Sequence, residues 1–223
     1  MLKAVLFAVD DQNPSSGISK KILAQYNGLR SNNIDARFCH IKMIEDQWYY
    51  VIDEKPLCCL GKGLRFSLSL RLVFKPILNY ILDNRIDFIY IRYARTATPL
   101  MIRFLKKLQK NGVKVLLEIP TYPYDAELEG KGFVNHVLFW IERYSRKHFR
   151  YCVNKIVTGQ DYDYIFEVPT IKISNAIDLK QIPLRNKVEH NGFNMIGVAN
   201  AKFWHGYDRI VSGIGEYYRN GGK

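Results

Sequence analysis

Apolar runs alternate with amphipathic stretches along most of this chain. A continuous apolar run at residues 4–9 and mostly apolar stretches at 88–91 and 113–117 predict strands that are buried on both faces of a sheet. The stretches 18–30 and 99–110 predict helices between strands. This alternation predicts an α/β fold, a Rossmann-like and mainly parallel sheet with helices on both faces.

Further elements complete this pattern. A β-branched run at 34–41 predicts a second strand, and 48–52 with 57–60 predicts a hairpin. Residues 68–84 predict a helix that Pro76 kinks or breaks. Short strands are predicted at 155–157 and 170–173. Residues 133–151 predict a long helix whose apolar residues form one stripe, namely Val134, Val137, Leu138, Ile141 and Tyr144.

The pattern changes near the C-terminus. Residues 175–189 are polar and contain few core residues, so we place a domain boundary there. Residues 1–189 then form one domain. Residues 190–223 predict the truncated start of a second lobe, with a strand at 195–198 and a helix from about Tyr207.

The composition narrows the class of protein. The chain has 223 residues, of which 48% are hydrophobic, so a sizeable core is available. No apolar run reaches the ~18 residues of a membrane span, and residues 1–11 resemble a first strand more than a signal peptide. The four cysteines have no zinc-site spacing and predict reduced thiols in the cytoplasm.

The positive charge is concentrated in the middle of the chain. The net charge is +12, and residues 62–150 carry 17 basic and 7 acidic residues. Such an excess suits nucleic acid, anionic lipid or a phosphorylated substrate, or forms a merely soluble surface. Residues 62–75 mix basic and bulky apolar side chains. They predict either a segment that lies on anionic lipid headgroups or a core helix with basic ends.

Several candidate binding residues follow predicted strands. Gly17 opens the first helix, where a glycine permits close approach of a ligand and free N–H groups attract an anion. An ordinary helix cap by Ser15 or Ser16 is the alternative. Arg92 and Arg95 follow the strand at 88–91 and either hold a phosphate or carboxylate or pair with nearby acids.

The loop after residue 117 is richer in chemistry. Glu118, Thr121, Tyr124 and Asp125 combine carboxylates, a hydroxyl and an aromatic ring, and prolines stiffen the loop. Aromatic faces beside short polar groups suit a carbohydrate. The alternative is a proline-ordered connection with solvent-facing side chains. The histidines form no catalytic set or metal site, so no catalytic residue and no metal ligand is assigned.

Two motifs carry a resemblance to a known family. Residues 174–178 read Ser-Asn-Ala-Ile-Asp, and residues 204–208 read Trp-His-Gly-Tyr-Asp. In this order, together with the first strand, the Gly17 turn and the loop at 116–124, they resemble GT-B glycosyltransferases, particularly glycosyltransferase family 4. The resemblance spans essentially the whole sequence.

The resemblance implies a hexosyltransferase with two domains. The N-terminal domain would bind a polysaccharide or lipid-linked acceptor, and the C-terminal domain would bind a nucleotide-diphosphate sugar as co-substrate, without a metal or other cofactor. Gly17 would face the donor diphosphate. His205 would stand where many members have a lysine, with Gly206 beside it on the donor side. Together with Gly17, the residues that would line the acceptor cleft are Arg92, Glu118, Thr121, Tyr124 and Asp125.

The sequence also departs from the family. The paired arginine expected after residues 195–198 is absent, and Glu118 and Thr121 stand where a histidine is often found after the strand at 113–117. The family's E-x7-E element would lie beyond Lys223. We therefore expect this chain alone to be incomplete as an enzyme, with a second polypeptide as one way to complete the donor domain.

Two other hypotheses belong to different classes. The chain could be a non-catalytic module that binds lipid or polysaccharide. For the enzyme as for this module, we expect a cytoplasmic location, peripheral at the inner face of the plasma membrane. A nucleic-acid binder ranks last, because the aromatic and basic recognition motifs of that class are missing.

Overall fold

The computed structural model describes residues 1–124, 133–174, 195–197 and 206–222, without the side chains of 133–135. Contacts along the chain divide it into two units, Met1–Ala176 and Ile177–Lys223. Each unit is described by itself. Residues 189 and 190, where the sequence places the domain boundary, lie outside the described residues, so that boundary stays a prediction.

The first unit is built on a mixed, mostly parallel sheet. Its nine strands among the described residues are Lys3–Ala8 (β1), Asp35–Ile44 (β2), Gln47–Ile52 (β3), Lys55–Gly61 (β4), Phe88–Arg92 (β5), Lys114–Glu118 (β6), Lys155–Thr158 (β7), Tyr164–Ile165 (β8) and Val168–Lys172 (β9). Their order across the sheet is β4-β3-β2-β1-β5-β6-β7-β9-β8. The run from β2 to β9 is parallel, whereas β3, β4 and β8 pair antiparallel. The predicted α/β class with a mainly parallel sheet is confirmed.

Six α-helices lie among the described residues. They are Gly17–Ser31 (α1), Gly63–Leu72 (α2), Lys75–Asp83 (α3), Pro99–Lys110 (α4), Phe133–Arg146 (α5) and Tyr207–Arg219 (α6), and a short 3-10 turn at Phe149–Tyr151 follows α5. The predicted helix at 68–84 is two helices. Proline lacks an N–H and fits only in a first turn, so Pro76 lies at the start of α3 and the break precedes it.

Helices cover both faces of the sheet. Strand β1 shows the division, because side chains alternate along a strand. Val5 and Phe7 belong to the large apolar core that also contains buried residues of α3 and α4. Leu6 and Ala8 pack on the opposite face with Ile22 of α1. The strand order reverses between β1 and β5, which creates a crevice where these strands end.

Helix α5 contacts the domain through its polar side. Glu142, Ser145 and Arg146 are buried. An apolar stripe is usually buried, but the exposed fractions are 43% for Val137, 36% for Ile141 and 59% for Tyr144. Leu138 is half-buried, and the side chain of Val134 lies outside the described part. The periodicity therefore predicted the helix, although α5 ends at Arg146 rather than at Tyr151, and it did not predict which side of the helix faces the core.

The second unit contains helix α6. It begins at Tyr207, as predicted, after Gly206 in the left-handed region at φ 67°. The strand predicted at 195–198 is wrong for Met195–Gly197, which are exposed and form no strand. A parallel strand needs a hydrogen-bonded neighbour, and these residues pair with none among the described strands. Val198 lies outside the described residues.

No helix among the described residues is long and apolar enough to cross a bilayer.

Candidate functional site

The candidate site lies at the carboxyl edge, the edge at which the parallel strands β1, β5, β6 and β7 end. In open α/β sheets, ligands bind outside the carboxyl ends of the strands where the strand order reverses. Three of the segments that leave this edge are residues 9–16 after β1, 93–98 after β5 and 119–124 after β6. We call residues 119–124 the edge loop.

A buried carboxylate organises the end of β6. Glu118 is 1% exposed, and its Oε1 accepts a hydrogen bond from Arg92 Nη1 at 2.8 Å. Lys21 Nζ lies 3.5 Å from the same oxygen, and Gln25 Nε2 donates to Oε2 at 3.1 Å. Burial and the nearby Glu118 carboxylate raise the pKa of Tyr90. Glu118 is surrounded by two cations and an amide. Its role is therefore to orient Arg92 and Lys21 and not to act as a general base.

Gly17 belongs to the same side of α1 as Lys21 and Gln25, since residues four apart in a helix share a face. A methyl group added at Gly17 would meet nothing within 4 Å. The chain's own packing therefore does not require a glycine here. Ser16 caps the helix, because its hydroxyl accepts from Ser19 N at 3.3 Å, as the ordinary-cap interpretation expects.

The edge loop is fixed at its middle. Tyr122 N donates to Gln160 Oε1 at 2.7 Å, and the Tyr122 ring meets the rings of Tyr162 and Phe166 edge-on at 5.2 and 5.4 Å. The Tyr122–Pro123 peptide bond is cis. Thr121 is exposed, and the loop borders a small cavity of about 60 Å³ lined by Tyr93, Arg95, Ile119, Pro120, Thr121 and Tyr124.

A second buried carboxylate holds the end of the edge loop. Glu142 Oε1 accepts hydrogen bonds from Tyr93 Oη at 2.5 Å and from Tyr124 Oη at 2.6 Å. Arg146 Nη1 donates to Glu142 Oε2 at 3.3 Å, and its guanidinium lies 5.0 Å from the Tyr124 ring centroid. Burial raises the pKa of Tyr93, and the neighbouring Tyr124 and Glu142 raise it further. Burial and Glu142 also raise the pKa of Tyr124. Both phenols therefore stay protonated and donate hydrogen bonds to Glu142.

The predicted site residues fall into two groups. Arg92 and Glu118 form one cluster, with Gly17 one helical turn from their partner Lys21. Tyr124 belongs to the Glu142 cluster, and Thr121 lies between the two on the exposed part of the loop. Asp125 and His205 lie outside the described residues. At Gly206 the positive φ itself favours glycine, and an added Cβ would lie 3.2 Å from Arg209 Nε.

Sequence reasoning missed several residues that shape the site. Lys21, Gln25, Tyr93, Glu142 and Arg146 were not predicted as contributors. The spacing of Glu142 and Arg146, four apart on a predicted helix, was the available signal. Lys21 and Gln25 contact Glu118 from α1, and Gln25 is 93 residues away from Glu118 in the sequence. No local pattern reveals that contact.

Metal ligands and disulfides do not contribute within the described part of the chain. There, no three or more His, Cys, Asp or Glu residues come together in a way that could hold a metal ion. Cys39, Cys58, Cys59 and Cys152 are free thiols.

Comparison with known proteins gives no family. No family model matches the sequence, and no curated protein matches it. Among solved structures, the chain is similar to the crystal structure of a chitinase from Chromobacterium violaceum ATCC 12472, with a TM-score of 0.34 and 11% identity. That match covers 73% of this chain and 49% of the chitinase, so the chain spans about half of that protein. At this TM-score the likeness supports no assignment of fold or activity.

Proposed function

We propose that this chain is the acceptor-side domain of a GT-B glycosyltransferase. The enzyme would transfer a hexose from a nucleotide-diphosphate sugar to a polysaccharide or lipid-linked acceptor. The observation that carries the proposal is the meeting of Gly17, the Arg92–Glu118 pair and the edge loop at the carboxyl edge, where the strand order reverses.

The chemistry of this edge suits a carbohydrate with an attached anion. Thr121 offers an exposed hydroxyl beside the aromatic residues of the edge loop, and sugars present C–H patches ringed by hydroxyls. Arg92 is held in place by Glu118, so it meets a phosphate without losing the entropy of a free side chain.

The open space next to Gly17 supports the proposal that the diphosphate of the nucleotide sugar lies beside this residue. A diphosphate needs close approach to backbone N–H groups, and a side chain at the first helical residue would obstruct it. On the donor side, the proposal places His205 and Gly206. The nucleotide sugar is the co-substrate, and neither a metal nor another cofactor is part of the proposal.

Transfer of a labelled sugar tests the activity. Labelled UDP-, GDP- and dTDP-sugars would be incubated with lipid-linked and polysaccharide acceptors, using this chain and any longer polypeptide that contains it. The proposal expects a labelled product in at least one pairing, and loss of that product on Arg92→Met. Absence of transfer in every pairing, including the longer polypeptide, would overturn it.

A non-catalytic lipid-binding module is the second candidate. It is favoured by α2, where Leu64, Leu68 and Leu72 are exposed next to Lys62 and Arg65. No residue of α2 is fully buried, although Phe66 stacks on Trp48 at 5.1 Å. In this reading the partner is an anionic membrane surface at the inner face of the plasma membrane. Strong vesicle binding without any sugar transfer separates this candidate from the enzyme.

A further inference from the structure

Helix α5 exposes a continuous apolar stripe. Val137, Trp140, Ile141 and Tyr144 follow the spacing i, i+3, i+4 and i+7, which places them on one side of a helix. We call them the outer stripe. Trp140 is 75% exposed, more than any other residue of the stripe. Contiguous exposed apolar surface of this kind marks an interaction site.

The helix is held in this orientation by its polar side. The buried Glu142 carboxylate binds Tyr93, Tyr124 and Arg146, and Arg146 also lies 5.0 Å from the Phe166 ring centroid. Rotating α5 to bury the outer stripe would break these contacts and expose the aromatic rings they cover. The outward direction of Trp140 is therefore set by the Glu142 cluster.

The surroundings of the outer stripe are basic. Arg143 in α5 and Lys147 directly after it are both exposed. Helix α4 has its own shallow groove of about 340 Å³ lined by Pro99, Ile102, Arg103, Lys106, Lys107 and Lys110. Lys106 Nζ lies 5.9 Å from the ring centroid of Tyr151, which follows α5. Helices α4 and α5 together contain one acidic residue, the buried Glu142.

We propose that the outer stripe of α5, together with the exposed basic residues of α4 and α5, docks onto an anionic lipid bilayer. A tryptophan in an apolar stripe with cationic borders is typical of a helix that lies in the membrane interface. The positive borders complement acidic headgroups, which attract basic residues close to the surface. A protein that bound the same stripe would need acidic residues around its own apolar surface. An anionic bilayer already combines an apolar interior with acidic headgroups.

The docked orientation has a consequence for the edge loop. Glu142 and Tyr124 lie on the opposite side of α5 from Trp140, so docking of the outer stripe leaves the hydrogen bonds between α5 and the edge loop intact. The docking surface does not depend on the glycosyltransferase proposal, because lipid binding is measured without any sugar.

Vesicle flotation and tryptophan fluorescence test the docking surface. The full chain would be mixed with phosphatidylcholine vesicles, with and without phosphatidylglycerol. We expect binding only with phosphatidylglycerol, weakened by added salt, and a blue shift of the tryptophan emission that Trp140→Phe removes. Trp140→Ser and Arg143→Glu are each expected to weaken binding by about tenfold.

Matched variants separate docking from general stickiness. Tyr164→Ser removes an aromatic ring that is 66% exposed on β8, and Lys20→Glu reverses an exposed charge on α1, across the sheet. Both should bind like the parent chain, and circular dichroism should show all variants folded. Equal binding by Trp140→Ser and the parent, or no binding to anionic vesicles, would overturn the proposal. Self-association that Trp140→Ser abolishes, without lipid binding, would reassign the stripe to a second copy.

Discussion

Two buried carboxylates, Glu118 and Glu142, dominate the chemistry of this chain at the scale of single residues. Each is at most 2% exposed, and each is met by cationic or hydroxyl donors. A buried charge is tolerated when it is paired and hydrogen-bonded, and its loss leaves partners without compensation. These residues therefore position Arg92 and the edge loop.

The Glu142 cluster predicts a large stability effect. Glu142→Gln removes the charge that faces Arg146 and weakens the bonds from Tyr93 and Tyr124. We expect the free energy of unfolding to fall by about 2–4 kcal/mol, measured by urea denaturation. Glu167→Gln is the control, because Glu167 is exposed and pairs with Arg150 on the surface. Similar losses in both variants would contradict the role of Glu142.

Burial of Cys152 predicts a loss of stability at alkaline pH. Burial raises the pKa of the Cys152 thiol from 9.0 to about 12, although the nearby Lys106 lowers it. The unfolded chain ionises this thiol first, so its contribution is complete below about pH 9 and is lost as the pH rises toward about 12. Urea midpoints measured across that range should fall more steeply for the parent chain than for Cys152→Ala. Parallel curves would show that the thiol does not contribute.

At the scale of helices and strands, periodicity predicted position better than orientation. The predicted helix at 99–110 coincides with α4, because Pro99 and Asn111-Gly112 mark its ends in the sequence. The hairpin predicted at 48–52 and 57–60 corresponds to the antiparallel pair β3 and β4. The stripe on α5 was equally periodic, but its burial depended on Tyr93 and Tyr124, which are distant in sequence. A periodic pattern cannot show which side of a helix forms the tighter contacts.

A substitution at the start of α1 tests whether a ligand binds at the candidate site. Gly17→Ala should leave the fold intact and raise stability by up to about 1 kcal/mol, because alanine restricts the unfolded chain. The added methyl group would block a ligand that approaches the helix start. We therefore expect at least about tenfold weaker binding, by isothermal titration, of any nucleotide sugar or oligosaccharide that the parent chain binds.

Gly28→Ala is the matched control for this prediction. Gly28 lies in the same helix, and a methyl group added there would also meet nothing within 4 Å. It is about three turns from Gly17 and so away from the carboxyl edge. Binding that is unchanged in both variants would contradict ligand approach at Gly17.

At the scale of the whole molecule, the chain combines two kinds of surface. The carboxyl edge carries the polar residues of the candidate site, and the outer sides of α4 and α5 carry part of the charge excess of residues 62–150. The sequence predicted the sheet and the basic middle. It could not predict the Glu118 cluster, because that cluster depends on contacts between α1 and β6 that only the folded sheet creates.

The most direct test of the account is a map of where carbohydrate ligands bind. Backbone amide shifts would be followed by NMR while UDP-, GDP- and dTDP-sugars and a panel of bacterial surface oligosaccharides are added to the chain. The account predicts saturable shifts that cluster at Gly17, at residues 92–95 and in the edge loop. Shifts confined to other surfaces, or no shift with any of these ligands, would contradict a carbohydrate site at the carboxyl edge.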